Sequence, residues 1–437
     1  MCRWITFLSA KRMTLSDVVL TPSNSLVQLS RDASFHPGYD NINNAVMNGD
    51  GFGIGWYHSN WAILPDPTAL ASHDGSRSLV PGSISGASIA STPDTSRHSN
   101  GMANGHSSML NHSPPEEYRG AALYKDVYPA WNNENLREIC MSTASDCFMA
   151  HVRAASPKTG ISIQNCHPFK AGRLLFCHNG RIPDFSRFRR RVLEQLTDEA
   201  YLHIRGTTDS EVAFALVLTF LSKDGHGSPL TQTKPFGAKR LVSAIKKAIR
   251  QIELTVQQSG LYEPHEYATC NYSITDGETM VVTRYCDRSP DVPPPSLYFA
   301  YGDAESLHHE LTSQADVPLF ATSKATPSRH ASDIDASSHG STKGMDNADT
   351  ASVSSSDSEF EESQVILESA ESRPGKVMED VDPETAAFIV ASNPLTKTHL
   401  WHKLPQNSIM WCTRGSHPEL RLLRHKKNTM SLGEFLL

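Results

Sequence analysis

Met1-Cys2-Arg3-Trp4-Ile5-Thr6-Phe7 opens the chain, and the reading of Cys2 decides the fold. Cysteine is small enough for methionine aminopeptidase to remove the residue before it, so Cys2 is expected to become the mature N-terminus. One residue then carries both a thiol and a free α-amine. The thiolate is the nucleophilic form, with a free pKa of about 8.5, and an α-amine titrates at about 8. The amine can therefore take the thiol proton, directly or through one water, and Cys2 supplies a nucleophile and its base without a separate histidine. Residues 2–7 read as a short strand, which puts that terminus at a strand end.

The rest of the 437 residues leaves room for this chemistry and narrows its setting. Hydrophobic content of 38% indicates a soluble protein. The formal charge of -7 is local: residues 303–380 hold 16 acidic and 5 basic side chains, a net of -11 that leaves +4 elsewhere. A near-neutral remainder gives no reason to expect nucleic acid or membrane partners. The eight cysteines form no CxxC pair, which fits reduced thiols in the cytoplasm. No apolar run reaches about 18 residues, so neither a secretion signal nor a membrane span is expected.

Composition divides the chain. Residues 66–115 contain 12 serines and no periodicity, and read as a disordered insertion whose scattered His98, His106 and His112 lack metal-ligand spacing. Residues 303–380 read as a second, acidic and serine-rich insertion without a periodic apolar face. Residues 2–302 and 381–437 then form one catalytic domain. Within it, Asn48-Gly49-Asp50-Gly51-Phe52-Gly53-Ile54-Gly55 is a glycine-rich turn entering a strand, not a phosphate loop, because the Lys-Ser/Thr ending is absent. Glycines at 51, 53 and 55 leave one strand face open to close approach by another backbone or a ligand.

Strands are expected at 123–131, 147–154, 173–180, 271–275, 279–285, 297–301, 387–392 and 408–412. Asp276-Gly277 turns the hairpin between the fourth and fifth of these. Helices are expected at 134–141, 182–196 and 212–221, and at 236–256 with Leu241, Ile245, Ile249, Ile252 and Val256 in one stripe. Residues 14–29 match no pattern.

Several polar groups fall on these elements. His151 and Arg153 are two apart on a strand and share a face. Asn179-Gly180 can offer a side-chain and a backbone N–H as two converging oxyanion donors, although Asn-Gly is also an ordinary turn. Arg153 can fork onto a carboxylate, and Asp209, at a helix start, can accept from an ammonium or serve as a cap. Cys166-His167 and Cys177-His178 are rivals as nucleophile pairs or metal ligands, but neighbours in extended chain point to opposite faces. No metal or other cofactor is expected.

Cys2, His151-x-Arg153, Cys166-His167-Pro168-Phe169, His178-Asn179-Gly180 and Thr208-Asp209-Ser210-Glu211 occur in an order that resembles the class II glutamine amidotransferases of the N-terminal-nucleophile family. The resemblance implies a four-layer αββα sandwich. It further implies Cys2 as nucleophile, Asn179 and Gly180 as oxyanion hole, and Arg153, Asp209, His151 and Thr208 at the substrate's amino-acid head. Met1-Cys2-Arg3, Asn48-Gly49-Asp50-Gly51-Phe52-Gly53, Pro129-Ala130-Trp131-Asn132-Asn133, Asn165-Cys166-His167-Pro168-Phe169 and Ser392-Asn393-Pro394-Leu395-Thr396 are similar, more narrowly, to the amidotransferase-like subunits of fungal DUG glutathione-degrading complexes. Asn393 departs from that likeness, which implies an acid there.

Glutamine and glutathione share the γ-glutamyl head and differ only in what leaves. Outside the insertions the chain is accounted for by one sandwich, with no second catalytic domain to receive ammonia. The expectation is hydrolysis of glutathione to release glutamate, beside a separate peptidase-like subunit implied by the resemblance. The alternatives are a glutaminase or an amidotransferase feeding an unlinked synthase, and a non-catalytic scaffold in which Met1 is retained.

Overall fold

The structure, a computed structural model, describes residues 2–32, 47–58, 120–155, 159–259, 267–287, 292–313, 358–364 and 380–427. In chain order its strands are β1 (Arg3–Thr14), β2 (Phe52–Trp56), β3 (Ala122–Asp126), β4 (Ala144–Val152), β5 (Phe169–Ala171), β6 (Leu174–Arg181) and β7 (Thr269–Thr275). They continue with β8 (Thr279–Arg284), β9 (Tyr298–Asp303), β10 (Ser358–Gln364), β11 (Ala386–Ala391), β12 (His402–Lys403), β13 (Ser408–Thr413) and β14 (Glu419–Lys427). The helices are α1 (Leu15–Val19), α2 (Leu26–Arg31), α3 (Glu134–Ser142), α4 (Phe185–Leu193), α5 (Asp198–His203), α6 (Asp209–Ser222), α7 (Ala238–Ser259) and α8 (Ala304–Ser313).

The first seven residues of β1 are all buried, although a strand presents alternate side chains to opposite faces. Both of its faces must therefore be covered. Ile5 and Phe7 pack with apolar side chains of α1, α2, α3 and α8, whereas Trp4 and Leu8 pack with Leu175, Met280 and Met410 of a second sheet. Thr6 reaches the same way, its Oγ1 lying 2.8 Å from Ser273 Oγ.

The two sheets run β12-β9-β11-β1-β4-β2-β3 and β10-β14-β13-β8-β7-β6-β5. Their paired strands are antiparallel. The outer face of the second sheet carries α4, α6 and α7, with Leu241, Ile245, Ile249, Ile252 and Val256 of α7 buried as their spacing predicts. Helix, sheet, sheet, helix is the expected four-layer αββα sandwich.

Several expectations need correction. The strand expected at 123–131 stops at Asp126, and Ala130–Asn132 is a 3-10 turn whose follower, Asn133, caps α3 by accepting from Leu136 N at 2.8 Å. Residues 14–29 hold two helices too short to show a period. The expected insertion 66–115 lies outside the described residues. The second expected insertion, 303–380, begins too early: α8 buries Ala304, Leu307 and Leu311 at helical spacing against the first sheet. Its β10 also pairs with β14.

A deletion series checks this boundary. Removing 66–115 and 314–357 is expected to leave the melting temperature nearly unchanged, since closure entropy changes only slowly with the length of a connection. Extending the second cut to 303–380 should lower it sharply, because each buried leucine contributes on the order of 1.5–3 kcal/mol. Equal melting temperatures for the two deletions would refute the role given to α8.

Candidate active site

The period of β1 places Cys2 on the face that bears Trp4 and Thr6, turned toward the gap between the sheets. Arg3 pairs with Val152 of β4, which brings Cys2 against the chain just beyond that strand. The Ala154 amide donates to Cys2 Sγ at 3.3 Å, and the thiol donates to Ala154 O at 3.5 Å. Burial pushes the thiol up from its ordinary range, while the Ala154 N–H and the positive charge of Arg153 pull it down. Behind the nucleophile, Arg3 is buried and donates from Nη1 to Asn393 Oδ1, the position where the family likeness implied an acid.

The glycine-rich turn holds the next piece. Gly51 O accepts from Arg153 N at 2.8 Å, and Asp50 Oδ2 accepts from Ala155 N at 2.8 Å, clamping both sides of Ala154. Gly53 must be glycine for a packing reason: a Cβ there would lie 2.2 Å from His167 O. The open strand face thus receives the 166–168 backbone. The Arg153 guanidinium is buried and donates to Thr159 Oγ1 at 3.1 Å, Gly160 O at 3.2 Å and Asp50 O at 3.5 Å. Both Nη2 hydrogens and one on Nη1 are so used, which leaves Nε–H and one Nη1–H without an acceptor among the described residues.

The second sheet supplies the facing wall. Leu175 and Cys177 of β6 point into the gap and Leu174 and Phe176 toward the helices, so Asn179 faces the gap and His178 does not. His178 Nε2 lies 2.9 Å from Thr269 O, which can only accept, so the Nε2–H tautomer is present and Nδ1 accepts from Ser210 Oγ at 2.8 Å. Asn179 is buried, and among the described residues no group bonds its side-chain amide. Gly180 is exposed, and a Cβ there would lie 2.0 Å from Thr269 O, so only glycine allows β7 this close.

Asp209 opens α6 and sits beside this wall. Its Oδ2 accepts from Ile182 N at 2.8 Å and its Oδ1 from Ser210 N at 2.8 Å. Thr208 is the N-cap, its Oγ1 accepting from Glu211 N at 3.2 Å. The charges of Arg153 and Asp209 are both felt at the Cys2 thiol, with opposite signs. Arg153 and Asp209 therefore lie near enough to act on the Cys2 thiol, and Asn179 faces the same gap.

His151 does not join them. It is fully buried, stacked on His167 with ring centroids 4.2 Å apart, and a ring so enclosed cannot touch substrate; its place is support behind Arg153. Cys177 points into the gap and His178 away from it, so that pair neither couples nor chelates. Cys166 is buried with its thiol donating to Ser162 O at 3.5 Å and to Asp126 O at 3.6 Å.

The buried histidines give an acid-stability prediction. Burial lowers the His151 pKa to about 3 and also lowers those of His167 and His178. The unfolded chain, with histidines near their ordinary value of about 6.5, binds more protons below that pH than the folded one. Stability is therefore complete above about 6.5 and lost as pH falls, by about 1.4 kcal/mol per unit for each histidine still neutral when folded. Urea midpoints should fall steadily from pH 7 to 5, and less steeply in His151→Gln. A flat profile over that range would contradict the buried neutral state.

The profile of the class II glutamine amidotransferases matches residues 101–256. The probable glutamine amidotransferase DUG3 of Saccharomyces cerevisiae is 31% identical over 305 residues, which are 70% of this chain and 69% of the yeast protein. The chain belongs to the class II glutamine amidotransferases. Similar solved structures include a glutamine aminotransferase class-II domain protein from Silicibacter pomeroyi, at 17% identity and a TM-score of 0.44, covering 97% of this chain and 100% of that one. Another is the glutamine phosphoribosylpyrophosphate amidotransferase of B. subtilis, at 9% identity and a TM-score of 0.39, covering 98% of this chain and 50% of that one.

Sequence reasoning missed the Ala154 amide, the Asp50 clamp, Ser210 and Asn165 as parts of this site. Asp50, Ser210 and Asn165 each stand in a motif that carries the family likeness, but nothing in the sequence gives them a role of their own. They and the Ala154 amide act through backbone contacts or across loops distant in sequence.

Proposed function

We propose that this class II family member hydrolyses a γ-glutamyl amide bond through Cys2, with glutathione as the substrate. Removal of Met1 gives Cys2 its α-amine, which takes the thiol proton. The thiolate attacks the γ-carbonyl carbon, and the carbonyl electrons move to oxygen, held by Asn179 Nδ2–H and Gly180 N–H. Collapse breaks the C–N bond as the leaving nitrogen takes the proton from the ammonium, and a γ-glutamyl thioester remains. Water, deprotonated by the same amine, then attacks the thioester. The C–S bond breaks, glutamate leaves and the thiol recovers its proton.

Arg153 offers its charge and a remaining N–H to the substrate α-carboxylate, and Asp209 faces the α-ammonium. The observation that supports this reading best is that Cys2 on one sheet and Asn179 on the other both face the gap, with the charges of Arg153 and Asp209 acting at the Cys2 thiol. Choice of glutathione and of a peptidase-like partner rests on the narrower likeness to the DUG subunits, and cytoplasmic location on the free cysteines.

The likeness to the yeast probable glutamine amidotransferase favours a second reading, glutamine as donor with ammonia used by a separate synthase. The test is glutamate release by the purified chain, its mass first showing loss of Met1, from glutathione and glutamine side by side, with and without a peptidase-like subunit. Higher kcat/KM for glutathione supports the first reading. Release from glutamine alone overturns it, and retention of Met1 with no release from either supports a scaffold.

A further inference from the structure

We propose that Asn165 is the positioning residue that ties together the two halves of the head-group clamp. It lies in neither half. It ends the 3-10 turn Ile163–Asn165 and is 3% exposed. Its Nδ2 donates to Gly160 O at 3.0 Å, and that carbonyl also accepts from Arg153 Nη2 at 3.2 Å. Its Oδ1 accepts from Thr207 N at 2.9 Å, two residues before Asp209, and Nδ2 also reaches Thr207 Oγ1 at 3.3 Å.

The stretch it grips is itself fixed from the other side, because the Glu211 carboxylate accepts from Arg205 N at 2.9 Å and from Gly206 N at 2.6 Å. Space is tight, since a Cβ on Gly206 would come 2.3 Å from Asn165 Oδ1. One buried amide thus sets the spacing between the anchor of Arg153 and the start of the Asp209 helix. A carboxylate and an ammonium on one substrate carbon require such a spacing, and a clamp opened by even about 1 Å loses its alignment.

This inference rests on Arg153 and Asp209 holding the α-carboxylate and α-ammonium, so the experiment reports on both. Wild type and Asn165→Ala are compared on a γ-glutamyl amide and on glutaric acid monoamide, which lacks the α-ammonium. In Asn165→Ala the KM for the full substrate is expected to rise roughly tenfold to a hundredfold with kcat within about threefold, and the preference over the monoamide to shrink by the same factor.

Asn165→Asp fills the same space, keeps the Thr207 bond and opposes Gly160 O. It should move KM in the same direction, and it carries the test if the alanine variant does not fold. A wild type that shows the preference, with both variants keeping it intact, overturns the role of Asn165 alone. A wild type indifferent to the α-ammonium overturns the head-group reading and this proposal with it.

Discussion

Replacing Cys2 by alanine is expected to reduce glutamate release to background, a loss on the order of 10⁴–10⁶ in kcat for removal of a nucleophile. Cys177→Ala should keep most of the activity. Cys2 is the one partly exposed cysteine among the described residues, and the other seven are buried. Burial pushes the thiols of Cys140, Cys147 and Cys412 up to about 12, and those of Cys177 and Cys270 well above the ordinary range. None of these five is a thiolate near neutrality; burial raises the Cys2 thiol as well, against the lowering pull of the Ala154 amide and Arg153, and its partial exposure is what sets it apart. Alkylation followed by mass mapping should therefore tag Cys2 first. An inactive Cys177→Ala beside an active Cys2→Ala would reverse the assignment.

What could be read from the sequence was what repeats along one element. The α7 stripe from Leu241 to Val256 was legible because one amphipathic face meets one sheet. The common face of His151 and Arg153 follows from a period of two, although the period could not say that His151 would be shut behind His167. The two helices between Leu15 and Arg31, five and six residues long, were not legible, since they are held by tertiary bonds such as Leu15 N to Thr143 O and Asn24 N to Leu395 O. α8 was hidden by averaging: its three buried apolar residues sit at the head of a long acidic, serine-rich segment whose composition outweighs them. In the site, the candidates named from the chain are residue types with a chemical signature. The groups that align them were not named from it, because the Ala154 amide acts through backbone and Asn165 through partners about forty residues away or only five.

Asn179→Ala is the second large effect expected. The tetrahedral intermediate puts a negative charge on the former carbonyl oxygen, and a preoriented donor there is worth far more in the transition state than in the ground state. Asn179 faces the gap, is 4% exposed, and has no protein group among the described residues on its amide, so its N–H groups are uncommitted there. Removing them should lower kcat by roughly 10²–10³ with little change in KM. Gly180 offers no equally clean test of the second donor. A side chain there collides with Thr269 O and would part β6 from β7, confounding chemistry with folding. Asn179→Asp is the sharper companion, because it keeps the shape but replaces a donor with a negative charge. It should lose at least as much as the alanine variant, since the new carboxylate repels the oxyanion and also raises the Cys2 thiol. Recovery of activity in Asn179→Asp relative to alanine would show that shape rather than hydrogen-bond donation matters at this position. A change confined to KM in both variants would place Asn179 in ground-state binding instead.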